Sequence, residues 1–138
     1  MYLEISNPKD YHAALYIRLS KEDENEGPSG SVTNQQSLLH AFVREHRLDV
    51  YDTYIDDGWS GTSFDRPGFQ RMLRDIEAGK VNMVITKDLS RLGRDYIMTG
   101  HYMERYFPEK RVRYISLLDG VDTVSYTHLR AHETEADL

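Results

Sequence analysis

The chain has 138 residues, 39% hydrophobic and 29% charged, which suits one domain with its own core and reads as globular rather than disordered. It contains no cysteine, so disulfides and thiolate chemistry are excluded and a reducing, cytoplasmic setting is expected. A formal net charge of −6 argues against a self-sufficient DNA-binding domain, which normally carries a basic face.

That charge is uneven. Residues 21–26, "KEDENE", set four acids against one lysine, and the last fourteen residues set three acids against Arg130. The body between them is close to neutral, and its arginines come in local clusters. No apolar run is long enough to cross a bilayer, and no signal-peptide pattern opens the chain, so no membrane partner is expected.

In chain order, the stretch 11–17 of "YHAALYIRLS" is an apolar run that predicts a buried strand. The charged and then Gly/Pro/Ser-rich "KEDENEGPSGS" predicts an exposed loop. Ser31 is placed to cap a helix starting near Val32, with Gln35, Leu38, Leu39, Phe42 and Val43 recurring at helical spacing. "DVYDTYIDD" alternates like a strand, and "GWSGTSFDRPG" is a loop ending where Pro67 can open a helix. "GFQRMLRDIEAGK" supplies that helix, with Gly79 near its end.

"VNMVITKDL" predicts a short buried strand, "RDYIMTGHYMERYF" a helix stopped by Pro108, and "VRYISLLD" a further strand. Strands alternating with helices predict an α/β fold: a mostly parallel central sheet of four to five strands with helices on both faces. Such sheets gather functional groups in the loops beyond the carboxyl ends of their strands. Ser20, Asp57 and Ser90 all fall just past predicted strand ends.

The terminal "VSYTHLRAHETEADL" has no period that fits this fold. "VSYTHLRAHET" resembles one reading frame of a transposase-based sequencing adapter, so residues 124–138 are expected to be a non-native or disordered tail. His128 and His132, four apart and formally able to hold a metal, are therefore given no role. The expected organisation is an extension at 1–10, a domain at 11–123 and the tail.

Ser20 sits two residues beyond Arg18, and strand alternation puts Tyr16, Arg18 and Ser20 on one face. A serine hydroxyl needs help to act as a nucleophile, and no histidine motif offers a triad. Arginine surrounds it instead. Guanidinium groups pair with phosphate oxygens and keep their charge, so several fixed arginines stabilise a phosphoryl-transfer transition state. Arg91 and Arg94 in "SRLGRD" are three apart, predicting one helical face, with Gly93 allowing close backbone approach. Arg66, in "FDRPG", is expected at the tip of a flexible loop. No metal and no cofactor are expected. A metal-dependent nuclease built on Asp56, Asp57 and Asp88 is a competing reading, but the histidines and glutamates of usual metal sites are lacking.

Together "YIRLS", "SVTNQ", "YIDDGWSGTSFDRPGF" and "ITKDLSRLGRD" resemble, in order and spacing, the catalytic domain of serine site-specific recombinases, the resolvase/invertase family. In style they are most similar to the large serine recombinases of mobile elements, and the resemblance covers roughly 11–123. It implies that Ser20 attacks a DNA phosphodiester, giving a 5′-phosphoserine link and a free 3′-hydroxyl, with neither ATP nor metal. It implies that Arg18, Arg66, Arg91 and Arg94 bind the DNA phosphate, with Tyr16, Gln35 and Asp57 as further polar site positions. Small resolvases carry an aspartate where this chain has Ser90, so no acid role passes to position 90.

The resemblance further implies DNA as partner, through domains absent here, and a homo-oligomer, dimer to tetramer, in the full-length protein. The alternative from another class is a non-enzymatic, truncated self-association module of a decayed mobile element.

Overall fold

The structure, a computed structural model, describes residues 5–20 and 30–124. The acidic run at 21–26 and the tail histidines lie outside the described residues. After a single 3-10 turn at Pro8–Asp10, the chain enters β1 (His12–Leu19), followed by α1 (Val32–Glu45) and β2 (Asp49–Asp57). Next come α2 (Pro67–Glu77), β3 (Met83–Thr86) and the short α3 (Leu89–Leu92). A last helical stretch, α4 (Tyr96–His101), a π-helical turn (Tyr102–Tyr106) and α5 (Phe107–Glu109), leads to β4 (Arg113–Ser116) and β5 (Val121–Asp122).

The five strands form one sheet in the order β2-β1-β3-β4-β5. The first four are parallel and β5 closes the edge antiparallel to β4. β1 is an interior strand between β2 and β3, and alternation along it divides the core in two. Ala13, Leu15 and Ile17 pack with Leu39 and Val43 of α1 on one face. Ala14 and Tyr16 pack with Phe69, Met72 and Ile76 of α2, and with Leu92 and Phe107, on the other. A strand covered on both faces is apolar throughout, which is why β1 reads as an unbroken hydrophobic run. The mostly parallel α/β architecture expected from the sequence is present.

Local chemistry fixes the element ends. Ser31 caps α1 by accepting the Asn34 amide at 3.0 Å. Gly79, at φ +75°, takes the left-handed turn after α2. The predicted strand through Leu89 stops at Thr86, because the Asp88 side chain turns back to cap α3. Pro108 does not stop its helix: it is the second residue of α5, which continues directly from the π-helical turn, and the chain leaves only after Glu109.

One irregularity sets the phase of β2. Ala13 pairs with Val50 but Ala14 pairs with Asp52, so Tyr51 is an extra, bulged residue. Beyond it the register runs Tyr16 to Tyr54 and Arg18 to Asp56.

β5 is held by a buried ion pair. Arg113 on β4 meets Asp122 through Nε at 3.0 Å and Nη2 at 2.6 Å, and its Nη1 donates to the Tyr11 hydroxyl at 3.2 Å. Removing one member of such a pair strands the other charge away from water. Asp122→Ala should therefore lower unfolding free energy by about 3–5 kcal/mol, read from denaturant titration, while the more exposed Asp52→Ala, which loses a surface pair with Arg71, should cost less than ~1 kcal/mol.

Candidate active site

Three arginines, Arg18, Arg66 and Arg91, are among the largest side chains fully withdrawn from solvent. Their N–H groups are met mostly by backbone carbonyls, and those carbonyls belong largely to α3. Arg18, near the carboxyl end of β1, donates Nη1 to Trp59 O at 3.1 Å and Nη2 to Ser90 O at 2.5 Å. Arg66 donates Nε to Ser63 O at 2.7 Å and Nη2 to Leu92 O at 2.6 Å. Its Nη1 reaches the Tyr16 hydroxyl at 2.9 Å and Arg91 O at 3.4 Å. Arg91 returns the contact, its Nη1 lying 3.4 Å from Arg18 O and its Nε 3.7 Å from the Asp88 carboxylate.

Arg66 is not at a loop tip. It is the residue immediately before α2, and its guanidinium lies over the rings of Phe64, Phe69 and Tyr16 at 4.7, 5.0 and 5.5 Å. Burial pulls its pKa below the ordinary arginine value, an effect opposed by Tyr16 and Asp56. The aromatic faces and carbonyls make the inward position favourable, and the loop reading of "FDRPG" overlooked both.

Arg91 and Arg94 do not share a helical face. α3 ends at Leu92, and Gly93 continues in extended conformation, so Arg94 belongs to the link beyond and is exposed. A backbone contact brings it back: Arg94 N donates to Gly61 O at 2.7 Å. Gly61 stands between two arginines. A Cβ there would lie 2.7 Å from Arg94 Cγ and 2.9 Å from Arg18 Nη2.

The remaining expected positions divide. Ser20 is buried, 4% exposed, one residue past the end of β1. Gln35, fully buried, donates Nε2 to Arg18 O at 3.2 Å and Gly30 O at 2.9 Å, pinning the end of β1 to the start of α1. Tyr16 lies inside the arginine cluster. Asp57 is exposed at the end of β2, in register with Leu19. The structure thus gathers Tyr16, Arg18, Gln35, Arg66, Arg91 and Arg94 around α3 and the end of β1, and leaves Asp57 outside that contact network.

The buried carboxylate at this end of β2 is instead Asp56. It accepts from Gly68 N at 2.7 Å, Phe69 N at 2.9 Å and the Tyr16 hydroxyl at 2.7 Å. Alternation was the available signal, since Asp56 shares its face with the buried Tyr54. Ser90 donates to Asp88 Oδ1 at 2.5 Å, and the Leu89 amide donates to Asp119, which also accepts from Ser116. Asp56, Asp57 and Asp88 do not converge, and among the described residues no three metal-ligating side chains form a cluster.

Polar and cationic groups gather at the carboxyl ends of the parallel strands, where α/β sheets of this kind carry their functional groups. The family described as "Resolvase, N terminal domain" matches residues 13–131, and the chain belongs to it. The N-terminal catalytic domain of TP901-1 integrase is similar with a TM-score of 0.72 and 26% identity, over 92% of this chain and 99% of that one. A resolvase family site-specific recombinase from Streptococcus pneumoniae gives 0.66 and 26%, over 92% of each chain. A curated relative from Bacillus subtilis (strain 168), named "Putative DNA recombinase", is 31% identical over 81 residues, 59% of this chain. The chain spans 15% of the length of that relative.

Two predictions follow from this packing. Gly61→Ala places a Cβ against Arg18 and Arg94, so it should cost about 1–3 kcal/mol of stability, measured by urea unfolding. The second concerns the phenols. Burial above all raises the pKa of Tyr16 and Tyr114 well beyond the tyrosine range, whereas an unfolded tyrosine ionises near pH ~10. Folding therefore holds these phenols neutral. Their contribution to stability is complete below pH ~10 and is lost as pH rises beyond it. Alkaline titration should show their phenolate absorbance appearing only together with loss of the circular-dichroism signal, and Tyr16→Phe should weaken that alkaline loss.

Proposed function

We propose that residues 11–123 form the catalytic unit of a serine site-specific recombinase that cuts and rejoins DNA, with 1–10 an extension and 124–138 a tail outside the unit. The observation that carries the reading is a buried serine one residue past β1, at the end of the sheet where four arginines gather, three of them buried and one exposed.

Ser20 Oγ attacks a backbone phosphorus of DNA. The new Oγ–P bond replaces the P–O3′ bond, the serine proton leaves, and the departing 3′-oxygen takes up a proton to become a hydroxyl. The 5′-phosphate stays on Ser20. Attack by a 3′-hydroxyl on that phosphoserine reverses each change and restores the serine. The number of phosphodiester bonds is conserved.

Arg94, exposed and packed across Gly61 from Arg18, meets the phosphate from the solvent side. Arg18 lies behind it, next to the nucleophile. Arg91 and Arg66 carry charge from within and hold α3 in place. By its intrinsic pKa an arginine is a poor candidate for the base that takes the Ser20 proton. Removing one well-placed donor to a developing oxyanion typically costs about a hundred- to thousand-fold in rate.

The partners in this reading are DNA, engaged with the help of further domains of a longer protein, and other copies of the same chain. The near-neutral body supplies few of the phosphate contacts that dominate DNA affinity. Tyr96, 92% exposed, and Ile97 project from α4 beside a groove of about 790 Å³ that runs to Arg94, an apolar surface that favours self-association.

The test is covalent capture. The full-length protein, incubated with nicked duplex fragments tiling the DNA on either side of its gene, should form a protein–DNA adduct whose nucleotide maps to the Ser20 peptide by mass spectrometry. Ser20→Ala should abolish it and Arg94→Ala should reduce it by about a hundredfold or more. An adduct that survives Ser20→Ala removes the assignment.

A further inference from the structure

Asp56 lies at the hub of a relay that none of the site motifs includes. We infer that Asp56 is a positioning residue for strand cleavage: by accepting the hydrogen bond of the Tyr16 hydroxyl it leaves the phenol oxygen's lone pair toward Arg66, and Arg66 in turn fixes α3 and the arginines of the site. This rests on the serine recombinase reading above.

The geometry separates two tasks for one carboxylate. Oδ1 accepts from the Gly68 amide at 2.7 Å, and Oδ2 from the Phe69 amide at 2.9 Å, which satisfies the first turn of α2. That much is a helix cap. The third contact is different, because Tyr16 donates to Oδ2 at 2.7 Å while its oxygen accepts from Arg66 Nη1 at 2.9 Å. A phenol has one proton. If that proton faced Arg66, two donors would confront each other inside a closed site. Asp56 accepts that hydrogen bond and leaves a lone pair for the guanidinium.

From Arg66 the relay continues to the carbonyls of Arg91 and Leu92, and from α3 through Ser90 O to Arg18. The path runs from the start of α2 to Arg18 through direct hydrogen bonds joined by the main chain of α3, and Arg18 stands two residues before Ser20. Space around the carboxylate is tight: a Cβ at Gly68 would lie 2.9 Å from both of its oxygens. The same sheet contains a built-in comparison. Tyr54 donates to Asp75 at 2.5 Å, a phenol–carboxylate pair of the same kind that has no arginine of the cluster behind it.

Asp56→Asn keeps the size and one acceptor but puts an amide donor against either the Tyr16 oxygen or an α2 amide. In the capture assay with the nicked duplex fragments, at a temperature where circular dichroism shows the variants folded, Asp56→Asn should slow adduct formation about 10- to 100-fold. Tyr16→Phe should slow it comparably, and the double variant should be no slower than Tyr16→Phe alone, since both changes break one relay. Asp75→Asn should lower stability and leave the rate unchanged. Should Asp56→Asn fail to fold, Gly68→Ala, which displaces the carboxylate without removing it, should slow the reaction in the native background and have no further effect in Tyr16→Phe.

A folded Asp56→Asn protein with the native rate, or losses that multiply with those of Tyr16→Phe, overturns the inference and leaves a plain helix cap. Those results stand apart from failure of the functional reading itself. That failure appears as no adduct in the native protein, or as one that persists in Ser20→Ala, and it overturns both.

Discussion

A guanidinium taken out of water must have its N–H groups met, and this structure meets those of three arginines largely with main-chain oxygen. Carbonyls offer partial negative charge without the desolvation penalty of a second buried ion. The choice has a geometric result. The oxygens at the end of α3 have no partner within so short a helix, and Arg18 and Arg66 close on them from two sides. The short helix and the arginines complete one another's hydrogen bonding, so neither is stable in this arrangement alone.

The sheet explains why these groups meet where they do. β1, β2, β3 and β4 run parallel, so their carboxyl ends share one edge, and the links leaving them carry Ser20, Trp59, Gly61 and Ser90 into one neighbourhood. Gly61 leaves the space that a Cβ would take from both Arg18 and Arg94. Asp56 and Gln35 then tie the edge to the starts of α2 and α1. The helices brace the site as well as covering the sheet.

Much of the fold was legible because it depends on local pattern. β2 spans the residues its alternation predicts, Asp49–Asp57, and Ser31, Pro67 and Gly79 mark helix boundaries as their chemistry requires. What sequence could not show was anything decided by a neighbour distant in the chain. Arg66 looked like a loop residue because the Tyr16 ring and hydroxyl and two α3 carbonyls that hold it inward come from elsewhere in the chain. Arg91 and Arg94 looked like helical neighbours because spacing says nothing of a helix that ends between them. The pair Asp56–Asp57 was ambiguous by its nature: one of two adjacent acids faces inward, and which one depends on the pairing register with β1.

That register traces back to Tyr51. A bulge near the start of β2 amounts to slack in the strand. A gene that lost one codon upstream of Tyr54 could draw on it, flattening the kink while the far end of the strand kept step with its neighbour. Length variation is thus absorbed at the end of the sheet remote from the chemistry, and the end that faces Arg18 inherits a constant phase.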